Sequence, residues 1–196
     1  MTIEMPCLTC FALYLNNDHK LDIAAKAGSP DTKLSVLLRN GNDTFHLTWS
    51  GDPVLAIPSF VVGDFNKDGK LDLAALYNTL IGFGIRRIQI LLGNGDGTFR
   101  RGWNQLIGLP GFIATGDFNN DHRLDLAIFG CCISSTSHSL YILLGNGDGT
   151  FQNKQTFSLT ATASSMVIRD LNHDGRGDVV LTHSQDNTIS VLLNVP

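Results

Sequence analysis

Glutamate is almost missing from this chain: of its 18 acidic residues only Glu4 is a glutamate, which leaves 17 aspartates. Glutamate tolerates a helix interior, whereas aspartate favours turns, caps and metal loops. With 20 glycines besides, the composition therefore excludes a helix-rich protein. No stretch sustains an apolar period of 3.6 residues, and no apolar run approaches the ~20 residues of a membrane-spanning helix. Runs of Lys or Arg are also missing, and the net charge is -4 at pH 7. That charge pattern speaks against nucleic acid and anionic membranes as partners. What is present is 43% hydrophobic and 16% charged residues, too apolar for a disordered chain. The 196 residues suffice for one sizeable core or a short array of repeats.

Self-comparison decides for repeats. The segment Asp64-Phe65-Asn66-Lys67-Asp68-Gly69-Lys70-Leu71-Asp72 recurs at Asp117-Phe118-Asn119-Asn120-Asp121-His122-Arg123-Leu124-Asp125 and at Asp170-Leu171-Asn172-His173-Asp174-Gly175-Arg176-Gly177-Asp178. A decayed copy runs from Tyr14 to Asp22. Interleaved with it, Leu91-Leu92-Gly93-Asn94-Gly95-Asp96-Gly97-Thr98-Phe99 is repeated letter for letter at Leu143 to Phe151. It is loosened at Leu37 to Phe45 and begins again at Leu192-Leu193-Asn194. The loops start at positions 14, 64, 117 and 170, giving four repeats over approximately 1–52, 53–107, 108–159 and 160–196 with no linker between them.

Each repeat reads as four short strands. In the second, Phe60-Val61-Val62 leads into the Asp loop, Leu71 to Leu76 leaves it, and Arg87 to Leu92 runs into Asn94-Gly95-Asp96-Gly97, a hairpin turn signal. Phe99 opens the fourth strand. Four-stranded units that cannot bury both faces alone predict the blades of a β-propeller, with helix content near nil.

The nine-residue loop carries the chemistry. Oxygen side chains at positions 1, 3 and 5 point inward from a tight loop, glycine at 6 permits φ > 0, the carbonyl at 7 adds an oxygen, and Asp at 9 closes the shell. All-oxygen ligation of this kind suits Ca²⁺ better than the strict octahedron of Mg²⁺. The expected ligands are Asp64, Asn66, Asp68, the Lys70 carbonyl and Asp72 in the second repeat. The third offers Asp117, Asn119, Asp121, the Arg123 carbonyl and Asp125, and the fourth Asp170, Asn172, Asp174, the Arg176 carbonyl and Asp178, making about three Ca²⁺ sites. An EF-hand needs Glu at position 12, which here is Ala75, Ile128 and Leu181. Metal-free Asx turns are the alternative for a single copy; three copies with oxygen donors at all four side-chain positions favour the metal. Tyr14 at position 1 leaves the first loop two carboxylates, so weak binding or none is expected there.

Gly-Asp-Phe-Asn-x-Asp-Gly-Lys-Leu-Asp-Leu-Ala followed by Leu-Leu-Gly-Asn-Gly-Asp-Gly-Thr-Phe resembles the FG-GAP/VCBS repeat family, which includes the calcium-binding blades of integrin α-subunit propellers. The likeness spans Phe11 to Leu193. It implies a β-propeller with Ca²⁺ in the hairpin joining the first two strands of a blade, and adhesion or recognition of a protein or carbohydrate outside the cell. Two features depart from integrins: the Gly-Ala-Pro element is absent, and four repeats stand where integrins have seven blades. A closed four-bladed ring and a piece of a larger propeller are both compatible with this count. The decayed first repeat, with no signal peptide visible in residues 1–15, favours the second, whereas Thr2 to Met5 supplying the missing strand of the fourth repeat favours the first.

Other constellations point to less. The pairs Cys7/Cys10 and Cys131/Cys132 lack zinc spacing and are expected as buried free thiols, with a vicinal disulfide at 131/132 as the alternative. His19, His122 and His173 lie at non-ligand loop positions, facing solvent. Phe65, Phe118 and Leu171 at loop position 2, and Leu73, Leu126 and Val179, are expected to pack between repeats. Tyr77, Arg86 and Arg87 are read first as solvated surface, with a ligand edge as the alternative. No catalytic constellation is visible, so an enzyme is not expected; a secreted polysaccharide lyase or phospholipase, or a lectin, is the alternative.

Overall fold

The computed structural model describes residues 7–27, 33–51, 59–78, 86–131, 138–153, 155–159 and 161–195. Among them are fourteen strands and no helix. Strands β1 (Cys7–Leu13), β2 (Asp22–Ala27), β3 (Leu34–Arg39) and β4 (Phe45–Ser50) form one antiparallel sheet. Strands β5 (Ser59–Gly63), β6 (Asp72–Asn78), β7 (Arg86–Gly93), β8 (Phe99–Gly116), β9 (Asp125–Cys131), β10 (His138–Leu143) and β11 (Gln155–Leu159) are joined in a second. Strands β12 (Ser165–Arg169), β13 (Asp178–His183) and β14 (Thr188–Leu192) form the third. The seven-stranded sheet is two four-stranded units sharing β8. The first half of that 18-residue strand pairs with β7, from Gly93↔Phe99 to Arg86↔Gly108; the second half pairs with β9, from Leu109↔Cys131 to Gly116↔Asp125. The second and third repeats are thus linked by a continuous strand rather than a loop.

The alternation of side chains along a strand explains how the units stack. In β6, Leu73, Ala75 and Tyr77 join a core with Leu34, Val36 and Leu38 of the first sheet, while Ala74 and Leu76 join a core with Leu126, Ile128 and Leu143 of the third unit. A third core links Ala127, Phe129 and Ile142 to Ile168, Val179 and Leu181 of the last sheet. A strand buried on both faces reads as a near-continuous apolar run, and Leu73-Ala74-Ala75-Leu76-Tyr77 is one. Leu73 and Leu126 are fully buried and Val179 nearly so, as their positions predict.

Three expectations are corrected. Leu171 is 46% exposed, unlike Phe65 and Phe118: Phe65 lies under Phe151 of the following unit, and among the described residues none takes that place over Leu171. Tyr77 is a core residue of the first interface rather than part of a ligand edge or a solvated surface; Arg87 is exposed and hydrogen-bonds the Asn104 side chain across the sheet. Cys10 is disulfide-bonded and exposed, not a buried free thiol; the side chains of Cys7, Cys131 and Cys132 fall outside the described residues. So do Thr2 to Met5, and the last sheet has three strands among the described residues.

The inner strands β1, β5, β12 and the second half of β8 line one cavity of about 310 Å³, through Phe11, Ser59 to Val61, Phe112 to Thr115 and Ser165 to Arg169. All four repeats thus contribute their first strand to one cavity.

Candidate metal centre

Each nine-residue loop joins the first strand of its unit to the second. Position 6 is left-handed in all four loops (His19, Gly69, His122 and Gly175), and so is position 4, where Asn17, Lys67, Asn120 and His173 have φ between 58° and 63°. Glycine marks the first of these in the sequence. The second carries no glycine, so only the recurrence of Asn signals it, and Lys67 shows that the fold imposes it. Two left-handed residues curl the loop so that its amides point inward. Asp64 accepts the amides of Asp68 at 3.2 Å and Gly69 at 2.9 Å, Asn66 Oδ1 accepts Asp68 N at 3.1 Å, and Asp68 Oδ1 accepts Lys70 N at 2.9 Å. The same bonds recur around Asp117, Asn119 and Asp121 and around Asp170, Asn172 and Asp174. The Lys70, Arg123 and Arg176 residues at position 7 enter these networks as amide donors.

The ninth position is built differently. Asp22, Asp72, Asp125 and Asp178 are fully buried. In each, Oδ2 accepts the amide of loop position 2 and Oδ1 accepts an amide at the far end of the unit's third strand. Asp72 takes Phe65 N at 3.0 Å and Gly93 N at 2.8 Å, and Asp125 takes Phe118 N at 2.8 Å and Gly145 N at 2.7 Å. Asp178 takes Leu171 N and Asn194 N, and Asp22 takes Leu15 N and Arg39 N, all between 2.8 and 3.0 Å. The carboxylate therefore ties the Asp loop to the hairpin of the same unit. The decayed first loop keeps this tie although Tyr14 has replaced its first aspartate. Reasoning from ligand spacing assigns this residue to a metal alone and misses its second task.

Burial drives the electrostatics of the ninth position. It pushes the Asp125 carboxyl up to about 6 against the two amide bonds, with the charges of Asp121 and Asp117 adding to the rise; Asp72 is raised for the same reasons, with Asp68 and Asp64 adding. Asp178 is equally shielded from solvent but has less protein packed around it. There the amides of Asn194 and Leu171 prevail and the carboxyl lies below the ordinary range. The second and third loops thus hold mutually repelling carboxylates beside one that is short of compensation.

Among the described residues no three acidic, histidine or cysteine side chains converge as a set of metal ligands, because the loop oxygens face their own amides. The donor set nevertheless fits a hard cation: every side-chain donor is an oxygen, and each carboxylate oxygen keeps a second lone pair beyond its amide bond. Asp64, Asn66, Asp68 and the Lys70 carbonyl, with their counterparts in the next two repeats, would hold the ion; Asp72, Asp125 and Asp178 would meet it as well as the hairpin. His19, His122 and His173 are exposed, as expected.

The hairpin aspartates have a separate role. Asp96 accepts Thr98 N at 2.9 Å and the Thr98 hydroxyl at 2.5 Å, Asn94 Nδ2 donates to Thr98 Oγ1, and Asp148 repeats this with Thr150 and Asn146. The threonine hydroxyl is the main reason both carboxyls lie below the ordinary range. These turns are self-contained without metal.

A family model described as FG-GAP-like repeat matches residues 14–75 and 131–194, together more than half of the chain. No curated protein matches it.

Proposed function

The chain belongs to the FG-GAP-like repeat family, and on that premise we propose that it is a calcium-stabilised β-propeller module for recognition of a protein or carbohydrate outside the cell. The observation that carries the calcium reading is the repeated loop geometry: three copies gather two partly exposed carboxylates and an amide oxygen beside a buried carboxylate. Three bound Ca²⁺ would turn a net charge of -4 into +2. Sites of this composition belong to the ~10⁻⁵ to 10⁻³ M range suited to extracellular calcium. The disulfide at Cys10 supports an oxidising compartment. The cavity shared by the four first strands supports binding rather than catalysis, since Arg169 is the one ionisable side chain among its lining residues. The same cavity, reached by all four repeats, supports a four-bladed ring.

The test is a thermal melt in Ca²⁺ and in EDTA on the parent and on Asp64→Ala, Asp117→Ala and Asp170→Ala. First-position variants are the right choice because these residues sit on exposed loops and leave the hairpin tie intact. Saturating one site at about 100 times its dissociation constant stabilises by about 2.7 kcal/mol, so calcium should raise the melting temperature and each variant should remove part of the rise. A melting temperature indifferent to chelation sinks the calcium reading.

A further inference from the structure

Position 2 of the second Asp loop is gripped from both sides. The Phe65 amide donates to Asp72 of its own loop at 3.0 Å, while the Phe65 carbonyl accepts the amide of Gly149, in the hairpin of the next unit, at 3.0 Å. That hairpin also holds the ninth position of its own loop, since Gly145 donates its amide to Asp125 at 2.7 Å. The turn itself is braced by Asn146 N–H on the Thr150 carbonyl at 3.0 Å and by Thr150 N–H on Asp148 at 2.9 Å. Asn66, a prospective ligand, lies close by: a Cβ on Gly149 would meet the Asn66 Cβ at 3.6 Å.

The third junction repeats this grip with fewer parts. Phe118 donates its amide to Asp125 at 2.8 Å, and its carbonyl accepts Asn194 Nδ2 at 2.6 Å. The main-chain amide of the same Asn194 donates to Asp178 at 2.8 Å. One residue thus does with main chain and side chain what Gly145 and Gly149 do together. The third and fourth loops also touch directly: Gly177 donates its amide to the Asp117 carbonyl at 2.6 Å, and a Cβ on Gly175 would meet Asn120 Nδ2 at 2.8 Å. Where the second and third loops have Leu71 and Leu124, glycine at 177 allows this approach, because a Cβ there would meet Ile168 Cγ2 at 2.8 Å. An unbroken series of bonds runs from Asp72 through Phe65, the hairpin and Asp125 to Phe118, Asn194 and Asp178. All three of its aspartates are buried.

We propose that this series couples the loops: a cation that orders one loop favours the ordering of the next, and Asn194 is the positioning residue between the third and fourth. The coupling rests on the calcium reading. Asp64 and Asn66, like Asp117 and Asn119, flank the residue whose carbonyl the next unit holds, so a cation that fixes the pair fixes that carbonyl too. The hairpin, or Asn194, then presents a settled amide to the next ninth-position carboxylate, and less conformational freedom remains to be lost when the next loop is ordered. The effect is reciprocal, since a coupling free energy acts equally on both sites. Charge alone has the opposite sign, because two bound cations repel each other.

The test is hydrogen exchange of residues 170–178 in the full chain, followed by mass spectrometry across a Ca²⁺ titration. The parent is compared with Asp117→Asn, Asn194→Ala and the double variant. Asp117→Asn weakens the third site while keeping an acceptor oxygen for the loop amides, and Asn194→Ala removes the side-chain donor while keeping the main-chain one. Asp117→Asn is expected to raise the calcium midpoint of the fourth loop about fivefold or more. With Asn194→Ala in place the same change should raise it by a smaller factor. A merely structural Asn194 would alter protection without altering the response to residue 117. Asn194→Leu, of similar size and without a donor, should act as Asn194→Ala does, and full protection at saturating calcium certifies that each variant is folded. A midpoint left unchanged or lowered by Asp117→Asn, in a loop that calcium still protects, overturns the coupling and leaves the calcium reading standing. A shift undiminished in both Asn194 variants overturns the role of Asn194. Exchange indifferent to calcium in every loop sinks both readings.

Discussion

A carboxylate that satisfies two buried amides is hard to replace, and the chain uses one at the ninth position of every loop. Removing it leaves the amides of Phe65 and Gly93 without partners, in a place water does not reach. Each stranded donor costs about 1–3 kcal/mol. Asp72→Ala should accordingly destabilise by about 3 kcal/mol in urea titrations, in EDTA as well as in calcium. Asp22→Ala should cost a similar amount, although its loop has lost the first ligand. If Asp22→Ala is neutral, the shared hydrogen-bond pattern is not what holds the first repeat. The contrast with Asp64→Ala separates the structural tie from the proposed metal ligation, since water can replace the exposed amide bonds of the first position.

Among the elements, the strands and their order were legible in the sequence because a residue pattern repeated three or four times fixes its own turns. Phe60 to Val62, Leu71 to Leu76, Arg87 to Leu92 and Phe99 all fall in or beside the strands expected of them. The continuity of β8 was not legible: Gly102, Gly108, Pro110 and Gly111 within it read as loop residues, and register shifts at Gln89/Leu91 and Pro110/Phe112 absorb them. Nor was the tie at the ninth position, since ligand spacing and hydrogen bonding ask for the same residue. The loosened hairpin of the first repeat becomes intelligible once the stacking direction is known. Gly97 and Gly149 lie against the unit before them, whereas Asp43 at the equivalent place, also left-handed at φ 60°, is exposed and meets no neighbouring unit among the described residues. Gly149→Ala meets both the left-handed backbone, φ 82°, and the Leu92 side chain. A loss of about 2 kcal/mol or more is expected in chemical denaturation, where Asp43→Ala should stay within about 0.5 kcal/mol.

For the whole molecule the telling surfaces are the outer faces of the two terminal sheets. Val167, Val180 and Val191 lie in one row across the last sheet, with Val167 and Val191 about half exposed. Ile23, Leu37 and Leu47 lie in a row across the first, with Leu47 61% exposed. Each row occupies the face that the inner units use to pack on a neighbour. In the proposed ring the two rows cover each other, which removes apolar area from water at about 25 cal/mol per Å². A monomer closed in this way should have a radius of gyration of about 16 Å by solution scattering. A value well above about 20 Å would indicate an open array and sink the ring.

Strand β8 also sets how the molecule comes apart. Arrays of repeats are described by an intrinsic stability for each unit and a coupling between neighbours. Here the middle coupling is of another kind, because the second and third units share a strand hydrogen-bonded on both sides as well as a core. The chain is therefore a cooperative double unit flanked by two weaker single ones, and partial unfolding begins at its ends. The two outer Asp loops, Tyr14 to Asp22 and Asp170 to Asp178, then open and close more often than the inner pair, so repeats alike in sequence differ in the time they spend in the ordered loop geometry.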